Sequence, residues 1–179
     1  MEIPITQQPI ITTHFIPENR QFPNNPLLPV ILYKGAFPAD QPDSGKRIED
    51  LFKENKWVDS WTDGIYEYHH YHSTAHEVLA ILNGRIALEL GGPNGIKFHL
   101  IAGDVIVLPA GVTHKNIECT PNFSCLGAYP KGQQYDILYG KTGERPLADK
   151  NIGEVPLPLL DPLYGKEGAL LQYWKEKKS

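Results

Sequence analysis

Apolar and polar residues alternate in short runs through the middle of the chain, between Ile65 and Tyr129, where the segments read IYEYHHYH, EVLAIL, RIALEL, IKFHLI, DVIVL and SCLGAY. Runs of this length, rich in β-branched and aromatic residues, predict β-strands. Turn chemistry separates them at Asn83-Gly84, at Gly91-Gly92-Pro93-Asn94-Gly95 and at Ala110-Gly111. Many short strands at this spacing predict a sandwich or barrel. The beginning of the chain differs, because eight of the 16 prolines fall within its first 47 residues and break it into extended pieces such as Val30-Ile31-Leu32-Tyr33. That composition predicts an arm wrapped on a core. One helix is expected from Arg47 to Asn55, where Ile48, Leu51 and Phe52 share a face and Ser44 stands near the start as a candidate cap. A second short helix, near Gly168 to Lys175, would bury Leu170, Leu171 and Trp174.

With 179 residues, 41% of them hydrophobic and 21% charged, the chain can build one well-buried core, and no shift in composition calls for a second domain. The expected organisation is an arm and short helix over residues 1–60, a barrel core over 61–130, and an extension over 131–179 that completes the same domain. A net charge of −4 and no cluster of five or more Lys or Arg argue against a nucleic-acid surface, and the WKEKKS ending reads as a solvated tail. MEIPITQQPIITTHF has neither the charged nor the apolar region of a secretion signal, and no apolar run approaches a membrane span, so the cytoplasm is the expected location. In that compartment Cys119 and Cys125, which flank a Thr-Pro-Asn turn, are expected as free thiols, and the Asn122-Phe123-Ser124 sequon as an accident of composition.

Candidate chemistry concentrates in two segments. His70 and His72 lie two apart, with Tyr66 and Tyr68 on the same parity, so on a strand they project from one face about 7 Å apart. Glu77 follows after Ser73-Thr74-Ala75-His76 and opens the apolar run Val78 to Leu82, from which it can return a carboxylate to the same point. His114 would close the cage after the turn-forming Gly103, Pro109 and Gly111. A lone His-x-His is weak evidence, but three imidazoles and a carboxylate at linked spacings point to one divalent ion with one or two positions open. Iron(II), manganese, nickel and zinc all suit that donor set.

The two segments resemble the paired motifs of the cupin superfamily, G-x5-H-x-H-x4-E-x6-G and G-x5-P-x-G-x2-H-x3-N, matched here from Gly64 to Gly84 and from Gly103 to His114. One position departs: Glu118 stands where the second motif ends in asparagine, a residue that is not a metal ligand in cupins. The stretch from Trp57 to Lys115 is similar more narrowly to the YjlB-type cupins, with a weaker echo in DPLYGKEGALLQYW. The resemblance implies an all-β double-stranded β-helix or jelly-roll barrel and a metal held by His70, His72, Glu77 and His114. The apolar pieces Ile3 to Ile11 and Val30 to Tyr33 of the arm can add strands to a sheet edge, its own or a partner's, so a homodimer is expected, as the resemblance also implies. The implied function is that of a metal-dependent enzyme of dioxygenase or isomerase type acting on a small polar molecule. The rival is a non-catalytic cupin that binds a small molecule or the metal alone, since the fold hosts both.

Other residues carry separate expectations. Tyr66 and Tyr68 should line the cavity. His69, on the opposite parity, should point away. For His76 three roles stay open: support of the ligands from behind, proton carriage, or replacement of Glu77. The face taken by His99 is undecided. Gly140-Lys141-Thr142 resembles the end of a phosphate-binding loop but lacks the earlier glycine, whose place is taken by Tyr135.

Overall fold

The computed structural model describes residues 5–39 and 41–175. Among them the order is β1 (Ile10–Ile16), β2 (Asn25–Lys34), α1 (Ser44–Glu54), β3 (Trp57–Asp63), β4 (Glu77–Asn83), β5 (Arg85–Leu90), β6 (Ile96–Ile101), β7 (Val105–Leu108), β8 (His114–Cys119), β9 (Ser124–Pro130), α2 (Leu147–Glu154) and α3 (Ala169–Tyr173). All pairings of these strands are antiparallel, in a six-stranded sheet β1-β2-β7-β4-β9-β3 and a three-stranded sheet β6-β5-β8. The crossovers between the sheets make this an all-β jelly roll. Ile3, part of the expected arm, and the end of the tail from Glu176 lie outside the described residues.

The six-stranded sheet is covered on both faces, and this explains why β4 and β7 read as continuous apolar runs. Val78, Ala80 and Leu82 of β4 pack with Ile48 and Phe52 of α1 and with Leu170 and Trp174 from the end of the chain. Leu79 and Ile81 turn the other way, into the space between the sheets, and meet Ile86, Leu88 and Leu90 of β5 and Phe98 and Leu100 of β6. The small sheet has one wet face. Hence β6 alternates: Phe98 and Leu100 point inward, while Lys97, His99 and Ile101 are exposed.

The proline-rich beginning supplies two strands at the edge of the large sheet, β1 outermost and β2 against β7 with Ile31 opposite Val107. The structure departs from the sequence pattern in two places. Helix α1 starts at Ser44, which is its first residue instead of a cap; Asp43 precedes it in a left-handed conformation, φ 59°. The segment from Ile65 to His72 is no regular strand. Its backbone bonds split between two partners, with His70 bridged to His114 on one side and Tyr71 to Leu138 on the other. Cys119 is exposed and Cys125 buried, both free, and no helix among the described residues is long and apolar enough to cross a membrane.

The end of the chain is held on the outer face of the large sheet by one buried carboxylate. Asp161 is fully buried and accepts the N–H groups of Leu163 (2.8 Å), Tyr164 (3.0 Å) and Leu170 (3.1 Å) as well as the hydroxyl of Tyr33 on β2. The Trp57 and Trp174 indoles bind the carbonyls of Leu160 and Pro29 at 3.0 and 2.8 Å and fasten the same segment at two more points. Asp161→Ala leaves these four donors without their acceptor and is expected to lower the unfolding free energy by about 3 kcal/mol or more. Urea denaturation measures it. Tyr33→Phe, which removes one donor and leaves the carboxylate bound, should cost about 1 kcal/mol.

Candidate metal centre

The backbone around the two motifs brings distant side chains to one point. His70 and His114 form a two-bond bridge, His114 N–H to His70 C=O at 2.9 Å and His70 N–H to His114 C=O at 3.2 Å, which sets their rings 4.1 Å apart. Gly111, at φ +93°, donates its N–H to the His72 carbonyl at 2.7 Å, so the turn before β8 also holds the second motif histidine. A side chain at Gly111 would meet the Asn24 carbonyl at 2.3 Å. One ring nitrogen each from His70, His72 and His114 lie within 4.8 Å of one another, and all three residues are buried.

The hydrogen-bond partners decide which nitrogen faces inward. His70 Nδ1 lies 3.0 Å from the Tyr68 carbonyl, His114 Nδ1 lies 3.0 Å from the Val112 carbonyl, and His72 Nδ1 lies against the Asp136 carbonyl. A carbonyl oxygen only accepts, so each Nδ1 carries the hydrogen and each Nε2 presents a lone pair. This is the arrangement by which metal-binding imidazoles are oriented.

Glu77 stands beside His72 and His114, while the set whose donor atoms all lie within 4.8 Å of one another is the three histidines alone. Glu77 opens β4, is 2% exposed, and sets Oε2 3.3 Å from Nε2 of both His72 and His114. Oε2 has no hydrogen-bond partner. Two lone pairs and a buried anionic oxygen in mutual contact repel unless a cation or a proton lies between them. Donors bound to one ion at about 2.1 Å are themselves about 3 Å apart, so the spacing fits a shared metal. The other oxygen, Oε1, accepts the Tyr129 hydroxyl at 3.1 Å, and Tyr129 in turn accepts the Trp61 indole N–H at 2.8 Å.

Charge follows from the same contacts. Burial, and then the adjacent His114 ring, hold the His70 pKa down to about 3. Burial pulls His72 down too, but Glu77 outweighs it and the net shift is upward. For Glu77 burial pushes upward, and His72 with His114 outweighs it, so the carboxyl stays ionised. Burial, reinforced by Glu77, raises the Tyr129 pKa, which keeps that hydroxyl a donor.

A cavity of about 230 Å³ opens over the three histidines and Glu77. Its walls come from Trp61 to Tyr66 at the end of β3, from Leu79, and from Tyr129, Tyr135 and Ile137. Tyr66 lines it as expected. Tyr68 does not: the irregular path of the 65–72 segment breaks strand parity, and Tyr68 stacks on Tyr66 at 4.7 Å and lies tilted against Tyr139 at 5.7 Å. His69 points away, against Phe22 at 5.8 Å and 3.6 Å from the Glu89 carboxylate. His76 also turns from the cavity. Its Nδ1 accepts the Ala110 N–H at 2.9 Å and its ring packs on Trp174 at 4.7 Å, on the outer face of the large sheet, where burial holds its pKa down to about 3. Its ring thus packs away from the cavity while its Nδ1 holds the turn that leads to His114. Sequence reasoning missed Trp61, Tyr129, Tyr135 and Asp136. Tyr135 and Asp136 sit in a segment with no strand or motif, and no local signal marks them.

Comparisons with known proteins bear on the family of this chain. The model of the cupin domain matches residues 61–121. Over 162 residues the chain is 40% identical to the uncharacterised protein YjlB of Bacillus subtilis, which spans 90% of this chain and 95% of that one. The chain belongs to the cupin superfamily. Among solved structures, it is similar to acireductone dioxygenase from Bacillus anthracis, which has a cadmium ion in its active centre, at 16% identity over 53% of this chain and 64% of that one, with a TM-score of 0.39. It is also similar to dTDP-6-deoxy-D-glucose-3,5-epimerase from Legionella pneumophila, in complex with dTDP-4-keto-L-rhamnose, at 14% identity over 68% and 72% with a TM-score of 0.37. The chain spans just under two thirds of that dioxygenase.

Histidine nitrogen NMR of the protein without metal tests the electrostatics of the site. His70 should remain the neutral Nδ1–H tautomer down to acid pH near its pKa of about 3, while His72 should take up a proton already above the ordinary value of about 6.5. With its pKa raised by folding, His72 stabilises the metal-free fold below about pH 6.5, and that contribution is lost as pH rises through the raised value. A His70 ring that protonates before His72 would contradict the geometry.

Proposed function

We propose that this protein is a metal-dependent cupin whose His70, His72, Glu77 and His114 hold one divalent ion of iron, manganese, nickel or zinc, and that it binds and transforms a small polar molecule in the cavity above by dioxygenase- or isomerase-type chemistry. One observation carries the reading: inward Nε2 lone pairs beside a buried, unpartnered Glu77 oxygen. A bound ion of this kind supplies Lewis acidity and an open position for a ligand oxygen. The protein's own groups do the rest. Carbonyls of Tyr68, Val112 and Asp136 keep the imidazoles in register, Tyr129 holds the far oxygen of Glu77, and Trp61 and Tyr135 wall the ligand from water.

Elemental analysis of protein purified without a chelating tag should give one ion per chain. His72→Ala should abolish it. Tyr129→Phe, which frees the carboxylate from its hydroxyl donor, should weaken metal affinity by about 10-fold to 100-fold without abolishing it. Because His72 must lose its proton to bind, affinity measured against a competing chelator should fall about tenfold per pH unit below the raised His72 pKa. Retention that does not change down to pH 4 would overturn the site.

A second reading, a non-catalytic binding module, is favoured by Tyr129, since a hydroxyl held as a donor to Glu77 offers no base. Oxygen uptake by the iron-loaded protein, and isomerisation by zinc- or nickel-loaded protein, separate the two. Turnover supports the enzyme; a ligand that only raises the melting temperature supports the module.

Our reading also includes a homodimer working in the cytoplasm, supported by the free cysteines and by the outer edge of β1, which exposes Ile10 (72%) and Phe15 (59%). Light scattering should give twice 20.1 kDa. A monomer at micromolar concentration would remove this part.

A further inference from the structure

The lining of the cavity is unusual in its charge. It holds no Lys or Arg, and no residue of a helix, so neither a guanidinium fork nor a helix N-terminus is present to receive a phosphate. The fixed charges it does hold are carboxylates: Glu77 at the floor and the exposed Asp63 at the end of β3, whose Oδ1 is held by the Gly64 N–H at 2.7 Å. On the metal reading above, Glu77 cuts the charge of a divalent ion to a single positive unit. A dianion would meet that unit and the Asp63 carboxylate together.

The walls supply the second half of the argument. Tyr135 stacks on Tyr129 with ring centres 4.5 Å apart and planes at 20°, and the Tyr135 ring also stands 5.2 Å from the His72 ring. Both tyrosines line the cavity, and aromatic side chains suit another ring by stacking or edge contact. A cavity of about 230 Å³ lies below the range for drug-sized ligands, a size that suits one ring with a short polar substituent.

We infer that the cavity takes an uncharged or singly anionic molecule with one ring, held by an oxygen at the histidine–glutamate floor with the ring against the Tyr129–Tyr135 stack, and that it rejects phosphorylated molecules. This rests on the metal reading for the oxygen contact, whereas the preference for ring and charge comes from the walls.

Calorimetric titration of the zinc-loaded full chain with benzoate, acetate and phenyl phosphate tests the two parts separately, with zinc content measured on the same sample. Benzoate should bind about tenfold or more tightly than acetate, which lacks the ring, and by a similar factor more tightly than phenyl phosphate, which carries the extra charge. Tyr135→Ala should reduce benzoate affinity about tenfold and acetate affinity by a clearly smaller factor. Asp63→Lys should narrow the gap between benzoate and phenyl phosphate. Phenyl phosphate binding as well as benzoate, acetate matching benzoate, or no benzoate binding to zinc-replete protein overturns the inference. A zinc content near zero defeats the metal reading instead, and the same ratios measured without zinc then decide the preference of the walls.

Discussion

A carboxylate buried between two sheets, opposite two imidazole lone pairs, is the constraint around which this molecule is arranged. Glu77 is the first residue of β4, the strand whose next five residues are buried by both faces of the large sheet. The carboxylate cannot swing to solvent without pulling that strand from its place between β7 and β9. Its charge must be answered where it stands. A buried ionised group without compensation costs several kcal/mol, about the whole stability of an ordinary domain. The histidines and the Tyr129 hydroxyl are what the described residues set against that cost.

Orientation of the histidines depends on backbone more than on side chains. Tyr68 and Val112 each lie two residues before the histidine whose ring they hold, so the local path of the chain fixes His70 and His114. His72 differs, because its carbonyl partner belongs to Asp136, 64 residues away. That residue is itself clipped in place: its carboxylate takes the Ser73 N–H at 2.6 Å and its N–H donates to the Thr74 hydroxyl at 3.1 Å. Asp136 thus binds both the ring of His72 and the turn that follows it. The region after β9 is part of the site despite containing none of the motif residues.

This division explains what was legible in the sequence. The strands from Glu77 to Leu108 were legible because periodicity and turns are local properties, and the doubly covered β4 reads as an unbroken apolar run. The convergence of His70, His72 and His114 was legible because their spacing carries the same constraint in every chain that uses it. Tyr68 and His76 lie where motif spacing alone does not place them, for a physical reason. Parity predicts direction only in a regular strand, and the 65–72 segment divides its hydrogen bonds between His114 and Leu138. His76 precedes Glu77 and so takes the opposite face, among Trp174 and the outer core.

The walls of the cavity obey no such local rule, which is why the histidine cluster is far more legible in the sequence than they are. Trp61 reaches the Tyr129 hydroxyl only because it lies across β9 at Gly127, where a Cβ would stand 2.3 Å from the indole ring. The position of that wall is therefore set by a side chain that is missing from a neighbouring strand, in a register pair Trp61–Gly127 that follows an irregularity after Val58. Neither residue signals the other along the chain. A motif conveys which atoms meet at the floor, because the same few contacts must recur to make a cage. What the cage is offered depends on pairings such as this one, which come into being only when β3, β4 and β9 lie side by side.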